Sequence, residues 1–531
     1  MNRLKTAVFF LTLVFTLTAC EKISQEPLAN RGEESSSIEN IEATEEMTEY
    51  TEYVAEVPEI VTAEANITIE AEECSLNGNL EVSDKRKGYS GEGYVTGFKG
   101  GKSDYLVVSA DIPVSQHYDI TICAASDSEM NNTVMVNGDG IGSFKLDGDD
   151  GKFVRATFSG VYIDEGEAVI QINQGDSEFD IDYIEINNNQ DIYEDELEIE
   201  GTPVSEKSSY EVRDVLRYLK ENSGESIITG QYVSDSKNLE IEQIYDMTGK
   251  YPVIRFSDIG GYAKSDAPLK SEINAAREWD EKGGIVGFMW LWKSPSEDSS
   301  IYAKDTKFSL EDAVTSEDIA TLGISEIQEL CRQGIISEEC LALVKDIDDV
   351  SDGLSELAED GIPVLWRPLH EAGGSWYWWG TSGAEAYKWL YNLMYERMTK
   401  YHELDNLIWI WSGQSEDYLV DSDKYDIASM DIYLSPNTKY GSRSEQYQWL
   451  KKITSSEKMI ALSECSSVPG IDEMLRDRSM WSFFGLWYDE YLPGNEISPD
   501  KVYTQEDDLI RIYNAENSVT LDEYAGIYGV Q

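Results

Sequence analysis

The chain has 531 residues and a mass of 59.9 kDa. One compact domain holds roughly 100–250 residues, so this length indicates two folded units with linkers. Its 42 basic and 102 acidic residues leave a net charge of −60. This balance excludes a grip on nucleic acid or anionic lipid through clustered lysine and arginine. The 13 Trp and 32 Tyr are enough for ordinary cores, and they also offer flat faces for neutral, hydroxyl-rich ligands.

The N-terminus has the pattern of an export signal. Residues 1–19 combine Arg3 and Lys5 with an apolar run that is too short to span a bilayer comfortably. The run ends in Leu-Thr-Ala-Cys, which is similar to bacterial lipoprotein signals, in which the cysteine, here Cys20, receives the lipid. An ordinary signal peptide with a chance cysteine is the alternative. We expect a lipoprotein on the extracellular face of a bacterial cell membrane, with the lipid anchor as its only membrane contact.

Residues 20–65 are predicted to form a disordered acidic linker. Ten glutamates and no lysine or arginine occur between positions 33 and 59, and such a segment repels itself and buries little surface. An acidic interaction tail is the alternative. The cysteines beyond Cys20 are odd in number, which argues against a complete disulfide framework and leaves their pairing open. They are Cys74, Cys123, Cys331, Cys340 and Cys465.

Residues 66–188 consist of short alternating runs separated by glycine and asparagine, a texture typical of an all-β, jelly-roll-like sandwich. Seven runs have strand character, and turn residues such as Asn-Gly-Asp-Gly at 137–140 separate them. The runs lie at 67–72, 93–95, 105–108, 118–122, 133–136, 168–172 and 179–186. A second polar linker is predicted at 189–207.

Residues 208–531 alternate between helical stretches and short buried strands. Val212, Val215, Leu216 and Leu219, for example, fall on one face of a helix. Eight strand-like runs occur, mostly with helix-competent stretches between them, and this predicts a (β/α)8 TIM barrel. The runs lie at 227–232, 252–257, 284–292, 363–368, 407–411, 427–434, 459–463 and 481–486.

Two glutamates follow strands of this predicted barrel. Barrel enzymes place catalytic side chains at the C-terminal ends of strands, and Glu371 follows the fourth run whereas Glu464 follows the seventh. Two carboxylates at one aromatic-lined mouth suit glycoside hydrolysis, in which one protonates the departing oxygen and the other attacks the sugar or stabilises its cationic transition state. For either residue the alternative is a solvated surface charge.

The segment at 366–380, Trp-Arg-Pro-Leu-His-Glu-Ala-Gly-Gly-Ser-Trp-Tyr-Trp-Trp-Gly, resembles the acid/base motif of glycoside hydrolase family 26. Shorter similarities occur at 228–231, 302–312 and 426–433, and the resemblance spans residues 208–530. The family implies a (β/α)8 barrel, net retention of anomeric configuration and most often endo-β-1,4-mannanase activity, without a cofactor for catalysis. Matched by position, Glu371 is implied as the general acid/base and Glu464 as the nucleophile.

The same resemblance implies residues that bind the substrate. His370 matches the histidine before the acid/base, and Trp376 matches an aromatic residue that stacks on the sugar. Tyr433 matches a tyrosine whose hydroxyl bonds the nucleophile.

A departure from the family pattern follows the third strand-like run. Many members carry Trp-His-Trp there, where this chain has Trp290, Leu291 and Trp292, and the two tryptophans are expected to contact substrate. Loss of the imidazole removes a polar contact beside the −1 sugar, so the sugar specificity stays open. A β-1,3-1,4-glucanase or a β-1,3-xylanase on the same barrel is the alternative to a mannanase, and endo and exo action are not distinguished.

The predicted sandwich resembles carbohydrate-binding module family 35 through short motifs at 69–72, 91–95 and 180–184. Glu70 and Glu72 are two residues apart, and Asp182 lies beside them if the first and last strands pair. Such oxygen ligands suit a structural Ca²⁺ ion, and an acidic sheet edge is the alternative.

Taken together, the sequence predicts a lipid-tethered, retaining endo-β-1,4-mannanase with a sugar-binding module. Its expected partner is β-mannan or a related plant polysaccharide, and a monomer is the expected state. The rival from another class is a surface glycan-binding lipoprotein with an inactive barrel, against which the intact Glu371 and Glu464 argue.

Overall fold

The computed structural model describes residues 52–528 with the exception of 59, 99–102, 129, 147, 149–150, 176, 195–197, 261–265 and 456. The predicted signal at 1–19, Cys20 and most of the predicted linker at 20–65 therefore lie outside the described residues. Within the described part, no helix combines the length and apolar character that crossing a membrane requires.

Residues 66–188 fold into the predicted β-sandwich. Its strands are β1 (Asn66–Glu70), β2 (Ser75–Leu76), β3 (Glu81–Ser83), β4 (Tyr94–Thr96), β5 (Leu106–Ile112), β6 (Gln116–Ala125), β7 (Met130–Val136), β8 (Asp139–Leu146), β9 (Val154–Ile163), β10 (Gly166–Ile172) and β11 (Asp180–Asn188). One antiparallel sheet has the order β3-β4-β11-β6-β9, with β1 paired to β11, and the other has the order β2-β5-β10-β7-β8. Alternation builds the core between them, because every second residue of β5, from Leu106 to Ile112, is buried.

The C-terminal part is a closed barrel of eight parallel strands, which confirms the predicted fold class. The barrel strands are β13 (Gly230–Tyr232), β14 (Ile254–Asp258), β15 (Ile285–Met289), β16 (Val364–Arg367), β17 (Leu407–Trp411), β18 (Ile427–Ile432), β19 (Met459–Cys465) and β20 (Phe484–Leu486). A separate parallel pair outside the barrel joins β12 (Ile227–Ile228) to β21 (Ser518–Val519).

Helices accompany the strands. They are α1 (Asp191–Glu194), α2 (Tyr210–Asn222), α3 (Leu239–Thr248), α4 (Asp266–Glu281), α5 (Leu310–Ala313), α6 (Ile324–Arg332), α7 (Glu338–Glu359), α8 (Ala384–Glu396), α9 (Ser444–Ile453), α10 (Ile471–Arg476), α11 (Glu506–Tyr513) and α12 (Leu521–Tyr528). Local capping chemistry sets the start of α2, because the side chain of Ser209 accepts a hydrogen bond from the Val212 backbone N–H. The five cysteines beyond Cys20 have free thiols.

Side chains of the barrel strands alternate between the lumen and the helix layer. On β14, Ile254 and Phe256 belong to the apolar cluster of the lumen, whereas Arg255 between them pairs with Glu272 on α4 at 3.0 Å. The same alternation places the side chain at the carboxyl end of each strand either in the lumen or against the helix layer. This alternation decides which side chains reach the mouth of the barrel.

The sandwich packs directly against the barrel. The His117 imidazole Nε2 lies 3.1 Å from the Asp477 carboxylate, and both side chains are buried. The Arg476 guanidinium stands 3.9 Å from the centre of the Tyr162 ring. Part of the predicted linker at 189–207 contributes to this contact, since its Tyr193 hydroxyl lies 2.5 Å from His117 Nδ1. Charged and aromatic partners therefore join the two domains side by side.

The end of the predicted acidic linker also contacts the barrel. The Tyr53 backbone N–H donates to the Asn514 carbonyl at 2.7 Å, and the Tyr53 hydroxyl donates to Asp472 at 2.7 Å. The Glu56 backbone N–H donates to the other oxygen of the same carboxylate at 2.8 Å. The prediction of a disordered linker up to residue 65 is therefore wrong for this stretch, because a tyrosine amid the glutamates supplies the ring and hydroxyl that bind the barrel.

Candidate active site

Three carboxylates meet at the carboxyl ends of the barrel strands. Glu371 follows β16, Asp431 lies near the end of β18, and Glu464 lies near the end of β19. One carboxylate oxygen from each residue lies within 4.8 Å of the other two. The structure thus brings the two predicted glutamates together and adds Asp431, which was not predicted from the sequence.

A buried guanidinium, that of Arg367 at the end of β16, connects two of these carboxylates. It donates to Asp431 Oδ2 at 2.9 Å and to Glu464, and its Nε donates to the Tyr232 hydroxyl at 3.2 Å. A fixed positive charge between the carboxylates stands where a bound cation would lie, so this trio does not fit a metal site. Arg367 lies within the motif at 366–380, yet nothing in the sequence indicates its bonding partners.

The charges in the site separate the proton affinities of the two glutamates. Burial, followed by the charges of Asp431 and Glu464, raises the pKa of Glu371 well above its ordinary value. Burial also raises the pKa of Glu464, to about 7, but the Arg367 charge opposes the rise. The Tyr433 hydroxyl donates to Glu464 at 2.7 Å and stabilises the carboxylate further. A single shared proton therefore resides on Glu371.

The backbone around His370 adopts an unusual conformation. Leu369 and Glu371 have φ angles of 54° and 52°, in the left-handed region, where non-glycine residues cost about 1 kcal/mol or more. Two hydrogen bonds hold this conformation: the Glu371 N–H donates to the Ser412 carbonyl at 2.7 Å, and the Trp379 indole donates to the His370 carbonyl at 2.9 Å. They fix the direction of the Glu371 side chain.

The His370 side chain is buried in the wall of the site. Its ring centre lies 5.0 Å from that of Tyr377, and its Nδ1 has no hydrogen-bond partner among the described residues. Burial, helped by the charge of Arg367, lowers the pKa of His370 well below its ordinary value. The imidazole is therefore neutral, and its predicted contact with substrate stays a prediction.

Trp376 offers an aromatic face to the cleft. Its relative exposure is 39%, an unusual value for an indole in this chain, where nine tryptophans are almost fully buried. The indole N–H donates to a Glu371 carboxylate oxygen at 3.0 Å. An exposed ring bonded to Glu371 suits the predicted stacking on a sugar next to the reacting bond.

Trp290 and Trp292 do not fit the predicted substrate contact. Both are 1% exposed, and their rings stack on each other with centres 4.0 Å apart. The Trp292 indole donates to Asp346 on α7 at 2.8 Å. The reason is that successive side chains point in opposite directions: Met289 points into the lumen, so Trp290 and Trp292 point towards the helices. The residue between them, Leu291, is the one on the lumen side.

Trp487, which was not predicted, stands at the mouth of the barrel just after β20. Its ring centre lies 4.8 Å from that of Tyr232 and 6.4 Å from that of Tyr433. The side chain is half-buried, so part of the indole faces the cleft. The sequence signal that would have identified Trp487 is its position directly after the eighth strand-like run.

The three acidic residues predicted to bind calcium converge on one loop of the sandwich. Glu70 Oε2 accepts from the Ser90 hydroxyl at 2.6 Å, and Asp182 Oδ1 accepts from the Ser90 N–H at 2.8 Å. Glu72 Oε1 accepts from the Glu92 N–H at 2.7 Å, while its Oε2 is buried without a hydrogen-bond partner. The buried, unpartnered oxygen of Glu72 is the type of ligand that a hard cation such as Ca²⁺ takes, but the oxygens of the three residues do not all lie within 4.8 Å of one another, so the calcium site stays a prediction.

An eight-stranded barrel that brings a half-buried and a buried glutamate together in one aromatic-lined cleft is the arrangement of a glycoside hydrolase. Residues 204–520 match the model of glycosyl hydrolase family 26, and the chain belongs to this family. Residues 67–189 match the model of carbohydrate binding module family 35.

Relatives with named activities cover most of the chain. A mannan endo-1,4-beta-mannosidase of Thermothelomyces thermophilus is 30% identical over 86% of this chain and 90% of its own. The crystal structure of a Podospora anserina GH26-CBM35 beta-(1,4)-mannanase has 27% identity and a TM-score of 0.54, and it covers 88% of this chain and 99% of its own. A beta-mannanase from a symbiotic protist of the termite Reticulitermes speratus, complexed with gluco-manno-oligosaccharide, has 26% identity and a TM-score of 0.55 over 62% of this chain and 99% of its own.

Replacement of Tyr433 by phenylalanine tests the charge arrangement. The Tyr433 hydroxyl stabilises ionised Glu464, so its loss raises the pKa of Glu464 further. Hydrolysis that needs ionised Glu464 is lost as pH falls through this pKa, so the acid limb of kcat/KM should move to higher pH by about 1 unit. The matched control is Tyr440→Phe, since the Tyr440 hydroxyl donates to the Ile432 carbonyl instead. An acid limb that moves equally in both variants, or in neither, contradicts the assignment.

Proposed function

We propose that the protein is a retaining endo-β-1,4-mannanase in which Glu464 is the nucleophile and Glu371 the acid/base. The observation that carries this proposal is the approach of the two carboxylates, with oxygens within 4.8 Å. Retaining glycosidases have carboxyl groups about 5–5.5 Å apart, whereas inverting enzymes need about 6.5–9.5 Å to admit a water molecule. The spacing supports direct attack by Glu464 on the sugar.

The reaction proceeds in two displacements. In the first, the Glu464 carboxylate attacks the anomeric carbon while Glu371 gives its proton to the departing glycosidic oxygen, and a glycosyl ester forms on Glu464. In the second, Glu371, now ionised, removes a proton from water, and the hydroxide oxygen displaces Glu464 from the anomeric carbon. The raised pKa of Glu371 suits the first step, and loss of the neighbouring negative charge on esterification lowers that pKa for the second.

Mannan is the favoured substrate because the relatives with named activities are mannan endo-1,4-beta-mannosidases or beta-mannanases. Leu291 on the lumen side keeps β-1,3-1,4-glucan and β-1,3-xylan as alternatives. Reducing-sugar release should be measured on mannan, galactomannan, glucomannan, lichenan and β-1,3-xylan. Activity on lichenan or xylan without activity on the mannans would overturn the substrate assignment, and no activity on any of them would favour a glycan-binding protein with an inactive barrel.

Alanine substitution of each glutamate should give a different kinetic signature. Glu464→Ala should lose several orders of magnitude in kcat on all substrates, because no covalent intermediate forms. Glu371→Ala should retain the first step on an aryl mannoside with a good leaving group, which needs no protonation, and then accumulate the glycosyl-enzyme. Azide should restore turnover of Glu371→Ala and yield a product of retained configuration, whereas any azide product of Glu464→Ala should have inverted configuration. An inverted azide product from Glu371→Ala would exchange the two roles.

We further propose that the sandwich binds polysaccharide and holds a structural Ca²⁺ ion through Glu70, Glu72 and Asp182. Full-length Glu464→Ala provides an inactive protein for binding to insoluble mannan. EDTA should lower its retention and its Tm, and added Ca²⁺ should restore both. Glu72→Gln should abolish the response to EDTA, whereas Glu92→Gln, an exposed residue of the same loop, should keep it. An identical EDTA response in both variants would assign the metal elsewhere.

We also propose that Cys20 carries the lipid that tethers the protein to the membrane. The supporting feature is the Leu-Thr-Ala-Cys pattern at the end of the apolar run. Cys20→Ser should release the chain from the membrane fraction, or leave it uncleaved there, and should abolish labelling by a fatty-acid analogue. A wild-type chain that is unlabelled and soluble after export would disprove the tether.

A further inference from the structure

The lumen side of the cleft carries a carboxylate that the proposed reaction does not use, that of Asp258 at the carboxyl end of β14. We propose that Asp258 is a specificity-determining residue that accepts a hydrogen bond from a substrate hydroxyl, beside the apolar surface of Leu291. The inference rests on the proposed hydrolysis of polysaccharide and identifies one group that selects the sugar.

Strand alternation places Asp258 in the cleft. Ile254, Phe256 and Asp258 are two residues apart along β14, and the first two belong to the lumen cluster. On the neighbouring strand, Met289 also points into the lumen, where its sulfur lies 3.6 Å from the Arg367 guanidinium. Leu291 is two residues further on, just beyond the strand, and packs against the same apolar cluster as Met289.

Backbone hydrogen bonds fix one oxygen of the Asp258 carboxylate and leave the other available. Oδ1 accepts from the Gly260 N–H at 2.7 Å and from the Leu291 N–H at 2.8 Å. No described residue donates to Oδ2, and the side chain is only half-buried. The carboxylate is thus held rigidly by the loop after β15 while its second oxygen faces the cleft. An ionised carboxylate is purely an acceptor, so its natural partner is a hydroxyl donor.

Tyr488 and Trp487 connect Asp258 to the catalytic carboxylates. Burial, followed by the charges of Asp489, Asp258 and Glu464, raises the pKa of Tyr488. The Tyr488 ring stacks on that of Trp487, with centres 4.7 Å apart. Leu291 packs against the same apolar cluster as these two aromatic residues. Asp258, bonded to the Leu291 N–H, therefore adjoins the aromatic wall in which Trp487 packs near Tyr433, the hydrogen-bond partner of Glu464.

The pairing of Asp258 with Leu291 has a chemical consequence for selectivity. The leucine side chain offers no hydrogen bond, so of this pair the carboxylate supplies the polar recognition. A sugar that lacks the matching hydroxyl leaves a half-buried charge unpaired. Loss of a hydrogen bond to a charged group costs about 1.5–3 kcal/mol, which corresponds to about 10- to 150-fold in kcat/KM.

Asp258→Asn is the informative variant because its geometry is dictated by the backbone. The two N–H groups at Oδ1 require an acceptor, so the asparagine carbonyl takes that place and its NH2 group replaces Oδ2. The loop stays braced while an acceptor becomes a donor. The matched control is Asp280→Asn on α4, which removes a half-buried carboxylate outside the barrel lumen. Burial raises the pKa of both Asp258 and Asp280 to about 6.

The test is a double cycle between enzyme variants and deoxygenated substrates. Aryl trisaccharides of the sugar that the wild-type enzyme cleaves are prepared with one hydroxyl removed at a time. If the enzyme does not cleave mannan, the same test is made with trisaccharides of the sugar that it does cleave. For one position, wild type and Asp280→Asn should lose about 10- to 150-fold in kcat/KM, and Asp258→Asn should lose less than about 3-fold. Tm measurements verify that each variant is folded.

Two results would overturn the proposal. In the first, every deoxygenated substrate is penalised equally in wild type and Asp258→Asn, which would leave Asp258 as a brace for the Leu291 N–H. In the second, the wild-type enzyme loses no more than about 3-fold in kcat/KM on any deoxygenated substrate. This result is independent of whether the variants fold.

Discussion

The active site depends on the burial of one guanidinium, that of Arg367, between two carboxylates. A buried charge costs several kcal/mol unless it is paired, and Arg367 is paired with Asp431 and Glu464 and bonded to Tyr232. The single positive charge of Arg367 faces two carboxylates, so ionisation of a third carboxylate, that of Glu371, is unfavourable beside them. The resulting proton on Glu371 gives two chemically identical side chains different protonation states, which the proposed acid and the proposed nucleophile require.

The arrangement is held by strand ends and by a strained turn. Asp431 and Glu464 occupy adjacent positions on β18 and β19, with a register shift that turns both towards the lumen. Glu371 arrives from a left-handed segment whose conformation is fixed by bonds to Ser412 and to the Trp379 indole. Rigid placement of this kind supports electrostatic catalysis, because the dipoles and charges need not reorganise during the reaction.

Features that depend on residues close together in the sequence could be predicted, whereas contacts between distant residues could not. The eight barrel strands follow from apolar runs, and the two glutamates follow from their place at strand ends. The role of Asp431 did not follow, because its partners Arg367 and Ser463 are brought beside it only by barrel closure. Strands β8 and β9 were not predicted either: β8 has two glycines among polar residues, whereas β9 has the β-branched and aromatic residues typical of a strand and was omitted from the prediction.

The alternation of side chains along β14 and β15 would have improved the prediction of which residues line the cleft. Trp290 and Trp292 were expected to contact substrate because aromatic residues often do, yet strand period turns them towards the helix layer, where they stack. The same period selects Asp258 and Leu291. Direction along a strand thus identified these two residues better than residue type did, but it fails for Glu464, which the register shift between β18 and β19 turns towards the lumen.

The contact between the sandwich and the barrel changes what a binding module contributes. A module on a flexible leash raises the local concentration of its enzyme equally in all directions. Here the buried pair of His117 and Asp477 and the stacking of Arg476 on Tyr162 remove that freedom. A polysaccharide chain held by the sandwich would reach the cleft at one distance and from one direction. Catalysis on a solid substrate would then depend on how its chains are oriented, so that aligned fibres and amorphous gels of the same sugar present different substrates.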